Sequence, residues 1–189
     1  MVRGLLFILM AAYSCIAGAA EQGIELTVSI KAPVAEVWKA WTTTEGITGF
    51  FAPEALIEAR PDGAFHVFID PYAEPGMKGA DEMRVLAIES EKMLSFTWNA
   101  PPSLPEARKQ RTVVILRFTP AGDSTTLSLS HIGWGEGGEW PKAQAYFSKV
   151  WPFVLKNLQT RFETAQPKDW TEWRDGLKKV HAGAGVTNR

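Results

Sequence analysis

The sequence predicts an α+β domain in which a seven-stranded antiparallel sheet wraps around one long C-terminal helix. Three observations predict it. Apolar and polar residues alternate with a period of two in short stretches, from Ile24–Ile30 to the last one at 125–132. Turn residues join most of these stretches with no room for crossover helices, which favours antiparallel neighbours. From about Glu139 the apolar spacing changes to three and four, which is that of a helix. At 189 residues the chain is long enough for one ordinary domain and short for two.

Taken in order, Ile24 to Ile30 is a half-buried strand. Pro33 suits a first helical turn and opens a helix through about Thr43, with Val34, Val37, Trp38 and Trp41 on one apolar face. Gly46 and Gly49 leave room for at most one more short helix. Strands follow at 54–59, 64–70, 82–89, 93–99, 112–118 and 125–132. Arg60-Pro61-Asp62-Gly63 is a turn, and Pro120-Ala121-Gly122-Asp123 closes a hairpin. Residues 71–81 and 100–109 are rich in Pro and read as loops. In 82–89 one parity carries Met83, Val85 and Ala87 and the other Leu86 and Ile88, so the pattern does not choose an inner face.

The long helix is predicted over 139–165, with Trp140, Phe147, Trp151, Leu155, Leu158 and Phe162 on one face. Pro152 predicts a kink or a restart near Trp151. Gln166-Pro167 ends the helix. Asp169 is placed to cap a last short helix, Trp170 to Val180, and from Ala182 no structure is expected.

Met1-Val2-Arg3 is a short basic start, and Gly4 to Ala12 is an apolar run too short for a membrane span. Small residues follow at Ala17-Gly18-Ala19-Ala20. This is the pattern of a secretory signal peptide cut after Ala19 or Ala20. The expected organisation is a signal peptide at 1–20, a domain at 21–165 and a C-terminal extension at 166–189, in a periplasmic or secreted protein. An uncleaved anchor and acylation at Cys15 are the alternatives. Tyr13 and the lack of a Leu before Cys15 make a poor lipobox. After cleavage no stable membrane span is expected. Cys15 is the single Cys, so no internal disulfide and no cysteine zinc cluster can form.

Lys and Arg number 20 against 21 Asp and Glu, a balance without the broad basic field of a nucleic-acid binder. The chain contains no GxSxG, P-loop, dinucleotide fingerprint or HExxH. Its three His, at 66, 131 and 181, lack metal-ligand spacing, and no cofactor is implied. Asp70, Glu74, Asp81 and Glu82 gather along a Pro- and Gly-rich loop. Arg108, Lys109 and Arg111 gather before a strand. Both clusters read as solvated loop charge.

Four segments carry a resemblance. They are Ile30-Lys31-Ala32-Pro33-Val34-Ala35-Glu36-Val37-Trp38-Lys39-Ala40-Trp41, then Leu94-Ser95-Phe96-Thr97-Trp98, then Leu127-Ser128-Leu129-Ser130-His131 with Gly133-Trp134, and finally Trp151 to Leu158. Together with the element order they resemble the START-like, or SRPBCC, superfamily of helix-grip folds. Within it they resemble the activator-of-heat-shock-protein-90-ATPase-homologue-like family, over about 24–165. Val150 before Trp151, Pro152 after it, and Phe50-Phe51 depart from the usual family residues. The resemblance implies a deep cavity between sheet and long helix that binds small apolar molecules, and in some members catalyses. The exported start points away from a cytosolic chaperone partner.

Parity and helical spacing then nominate the lining. Leu127, Leu129 and His131 share a face of the last strand, as do Leu94, Phe96 and Trp98 of another and Phe65, Val67 and Ile69 of a third. The candidate ligand-binding residues are Phe65, Trp98, Phe118, His131, Trp134, Phe147 and Trp151, with the Gly-rich loop 133–138 as entrance. A carrier of a small apolar molecule is the leading expectation. An enzyme with His131 as acid/base, and a ligand-free partner-binding protein using the Trp-rich C-terminal segment, are the alternatives.

Overall fold

The computed structural model describes residues 23–184. The expected signal peptide lies outside them. The element order is β1 (Ile24–Ile30), α1 (Val34–Thr42), α2 (Thr44–Thr48), β2 (Glu54–Ile57), β3 (Phe65–Phe68), β4 (Gly79–Ala80) and β5 (Val85–Glu89). It continues with β6 (Met93–Trp98), α3 (Pro105–Arg108), β7 (Thr112–Ala121), β8 (Ser124–Ile132), α4 (Trp140–Thr164) and α5 (Thr171–Ala184). All strand pairings are antiparallel, and the strands form a five-stranded sheet β1-β8-β7-β6-β5 and a three-stranded sheet β2-β3-β4. An antiparallel bridge between Ala64 and Arg84 joins the two at a corner. The predicted strand-helix-strands-helix order therefore holds. The strand beyond the expected seven is β4, a two-residue pairing of Gly79 and Ala80 with β3 inside the segment read as a loop.

Alternation fixes which strand faces are buried. Leu127, Leu129 and His131 on β8, and Val114, Leu116 and Phe118 on β7, turn inward and are buried. On β5 the register shifts between Val85 and Ala87. Met83 and Val85 are buried, Leu86 is exposed, and Ile88 packs against the core from the other parity. The bulge switches the inner face partway along the strand, which is why both parities of 82–89 are apolar.

Helix α4 lays Phe147, Trp151, Val154, Leu155 and Leu158 into the same core as the inner faces of both sheets. It runs unbroken through Pro152 rather than restarting there. Pro152 and Ser148 are both exposed. The carbonyl that loses its helical donor therefore reaches water, while Trp151 and Leu155 hold the chain to the sheet.

Helix α5 continues to Ala184, past the predicted end at Val180 and into residues expected to be unstructured. Asp169 Oδ1 accepts the Thr171 backbone N–H at 2.8 Å and its hydroxyl at 2.7 Å, which orders the turn into the helix.

Candidate functional site

A cavity of about 780 Å³ lies between the middle of α4, the loops after β3 and β6, and the C-terminal segment. Trp98 to Pro102 form one wall, and Ile69, Asp70, Ala73 and Met77 to Ala80 form another. Helix α4 contributes Tyr146, Phe147, Val150, Phe153 and Val154. Phe51 and Pro53 complete the domain side, and Lys168, Asp169, Trp170, Glu172 and Trp173 close it.

The C-terminal segment is pinned in place. The indole N–H of Trp170 donates to the Thr48 carbonyl at 2.6 Å, and that of Trp173 to the Ile69 carbonyl at 2.8 Å. Arg174 donates to the Pro53 carbonyl at 2.8 Å and to Glu54 at 3.1 Å. His181 Nε2 lies 2.8 Å from Asp70 Oδ2. The segment read as an appended extension is thus a cavity wall.

Of the seven nominated side chains, two reach the cavity, Trp98 and Phe147. The other five lie outside its lining and pack on one another and on the core. Phe65 stacks on Phe96 with centroids 3.8 Å apart, and Phe118 meets Trp38 edge-on at 5.2 Å. Trp151 is fully buried and packs on Trp98 at 5.5 Å. Trp134 lies 4.2 Å from the His131 ring and donates its indole N–H to the His131 carbonyl at 2.9 Å. The loop 133–138, expected as the entrance, contributes no residue to the cavity lining. A Cβ at Gly135 would collide with the Trp140 indole, so the loop packs against α4 at that point.

His131 sits at the centre of that filled end, with none of its surface exposed. The Trp151 indole N–H donates to its Nδ1 at 2.9 Å. An indole only donates, so Nδ1 carries no proton and the neutral ring holds its proton on Nε2. Nε2 then donates to Thr112 Oγ1 at 2.7 Å, and that hydroxyl donates to the Trp98 carbonyl at 3.3 Å. Burial pushes the imidazole pKa down to about 3. Neither ring nitrogen is free, and the ring is uncharged near neutrality.

The carboxylate and basic clusters also change meaning. Arg108 and Asp81 are buried and paired at 3.2 Å. Arg108 donates further to the carbonyls of Gly76 at 2.6 Å, Gly79 at 2.7 Å and Ala100 at 2.6 Å. Asp81 accepts the backbone N–H groups of Gly76 and Gly79 at 3.2 and 3.0 Å. Burial lowers the guanidinium pKa, and the Asp81 charge opposes that shift. The pair ties the wall at 76–81 to the loop after β6. Lys109 and Arg111, by contrast, are exposed.

Tyr146, Val150 and Phe153 were readable as an i, i+4, i+7 series beside the predicted stripe. Trp170 and Trp173 had the right chemistry, but no signal of where they dock. Asn99 and the loop residues 69–80 had no signal. Among the described residues no group of three His, Cys, Asp or Glu can hold a metal ion, and no helix is long and apolar enough to cross a membrane.

Solved structures share this architecture. Protein MLL2253 from Mesorhizobium loti superposes with a TM-score of 0.62 at 23% identity, covering 76% of this chain and 98% of that one. CalU16 from Micromonospora echinospora gives 0.57 at 22%, covering 88% and 89%. The Aha1 dimer from Colwellia psychrerythraea gives 0.58 at 18%, covering 75% and 96%. No curated protein matches the sequence. The family model described as Activator of Hsp90 ATPase homolog 1-like protein matches residues 31–163, from the strand-to-helix turn before α1 to the end of α4, and the chain belongs to that family.

Proposed function

We propose that the protein is an exported carrier that binds a small apolar molecule in the cavity between α4, the sheet-edge loops and the C-terminal segment. The observation that carries this reading is the aromatic cavity itself. Its volume of about 780 Å³ lies within the roughly 300–1,000 Å³ usual for small-molecule sites. Its lining also keeps apolar side chains in solvent. Of the eight large hydrophobic side chains exposed among the described residues, four line it: Met77, Tyr146, Phe153 and Trp173. An apolar ligand covering them gains roughly 25 cal/mol per Å² buried, before the entropy of association is subtracted.

Phe153 gives the cleanest test, because it is 60% exposed and the fold gains little from it. The neutral fluorophore N-phenyl-naphthylamine is expected to bind and brighten. Phe153→Ser is expected to weaken that binding about tenfold at an unchanged melting temperature. Wild-type protein that never takes up the fluorophore overturns the reading. An acid/base role for His131 gains no support from its place off the cavity wall with both nitrogens bonded.

Export rests on the pattern of residues 1–20. N-terminal sequencing of protein recovered from its own cell is expected to begin near Ala20 or Glu21. A chain that starts at Met1 and stays in the cytoplasm removes export from the reading and reopens a chaperone partner.

A further inference from the structure

Eight polar or charged residues are buried among those described, and seven have hydrogen-bond partners for their side chains. Thr42, Ser95, Thr112 and Thr125 bond to carbonyls, and Asp81, Arg108 and His131 are held as set out above. The eighth is Asn99. It is 5% exposed, it lines the cavity, and its carboxamide has no protein partner among the described residues. Nor is the amide sealed away. Among the described residues the unpartnered side-chain atoms sealed from solvent are Trp41 Nε1 and His66 Nε2, and those of Asn99 are not among them. Its polar atoms are therefore reached from the cavity.

The fold makes no use of this carboxamide, which leaves both its N–H donors and its carbonyl acceptor to whatever occupies the cavity. We propose that Asn99 is the polar recognition element of the cavity and that the ligand is an aromatic molecule bearing one uncharged hydrogen-bonding group, a hydroxyl or carbonyl, that meets this carboxamide. This rests on the carrier reading and names the chemistry of its ligand. The aromatic part follows from the walls, where Trp98, Phe147, Phe153, Trp170 and Trp173 offer ring faces and edges. The uncharged part follows from the charges. Every charged side chain lining the cavity is half-buried or exposed. Asp70 faces His181, Asp169 is taken by Thr171, the Lys168 ammonium lies over the Phe153 and Trp170 rings and that of Lys78 over Phe68, and Glu172 stands exposed at the rim. The buried polar contact left for a ligand is a neutral one.

The test displaces N-phenyl-naphthylamine with two probes of nearly equal shape, naphthol and methylnaphthalene. Wild-type protein is expected to prefer naphthol about tenfold, the range of one buried hydrogen bond. Asn99→Leu is expected to lose that preference while still binding methylnaphthalene. Its melting temperature is expected to stay close to the wild type's, because the fold makes no hydrogen bond through this side chain. Asn99→Ala serves as the smaller replacement and is expected to lose the preference as well. Hydrocarbon binding with no naphthol preference in the wild type overturns this proposal alone, as does a preference that survives in both variants. Failure of the wild type to bind either probe or the fluorophore overturns the carrier reading and this proposal with it.

Discussion

As the pH falls from about 6.5 toward 3, the wild-type protein is expected to lose stability through His131 at about 1.4 kcal/mol per pH unit, and a His131→Phe variant is not. In the unfolded chain the imidazole takes up its proton near 6.5; in the folded one, burial holds that off until about 3. Between those values the unfolded state binds one proton more, so acid favours unfolding. The contribution is complete above pH 6.5 and is lost as the pH falls, reaching about 4–5 kcal/mol near the folded pKa. His66 is pushed down too, by burial first and then by Arg84, and it remains in both proteins, as do the carboxylates. The difference between wild type and variant therefore isolates His131. At neutral pH the variant is the weaker protein by about 1–3 kcal/mol, because the Trp151 indole N–H loses its acceptor and Thr112 its donor. The two stability curves are expected to cross about one to two pH units below 6.5. Urea midpoints across a pH series give the answer, and curves that fall in parallel would show that His131 does not carry the effect.

The same residue shows how far the sequence could be read. Period two along 125–132 put Leu127, Leu129 and His131 on one face, and all three are buried there. Parity says which face a side chain joins, but not whether the space it enters is filled. At one end of the interior Trp134, Phe147 and Trp151 close around His131 and leave no room. At the other end the chain leaves β6 through Asn99 and three more small or cyclic residues, Ala100, Pro101 and Pro102, and the cavity opens there. Two nominated residues, Trp98 and Phe147, fall on the boundary between the two ends. Five lie wholly in the filled part.

What the pattern could not carry was contact at long range. Trp170 reaches Thr48 and Trp173 reaches Ile69 across more than a hundred residues. Nothing local to 166–184 indicates that this segment docks. The restart expected at Pro152 fails for a related reason. Proline's local preference is to break a helix, and the burial of Trp151 and Leu155 on either side outweighs it. Leu86 and Ile88 looked like a rival inner face because a bulge, invisible in the pattern, turns β5 over between Val85 and Ala87.

The charged loops mark the same limit, and they carry the second large effect. Arg108 and Asp81 read as solvated charge, yet they form a buried pair whose remaining donors and acceptors are used by the loop backbone. Arg108→Leu is expected to destabilise the protein by about 3–5 kcal/mol, because it strands a buried carboxylate as well as three loop carbonyls. Asp81→Leu alone leaves the guanidinium buried without its counter-charge and should cost a similar amount. The double variant removes both charges and is expected to recover part of the loss, though not all, since the Gly76 and Gly79 backbone groups stay unpaired. Because Met77 to Ala80 line the cavity, loosening this clamp also takes away a preformed wall. N-phenyl-naphthylamine binding should then weaken in Arg108→Leu at temperatures where the variant is still folded. Denaturant midpoints and fluorophore titrations on the four proteins of this cycle separate the two effects. A variant within about 1 kcal/mol of wild type would mean that water already reaches the pair. Full destabilisation with unaltered binding would mean that the wall at 76–81 is held by something other than Arg108.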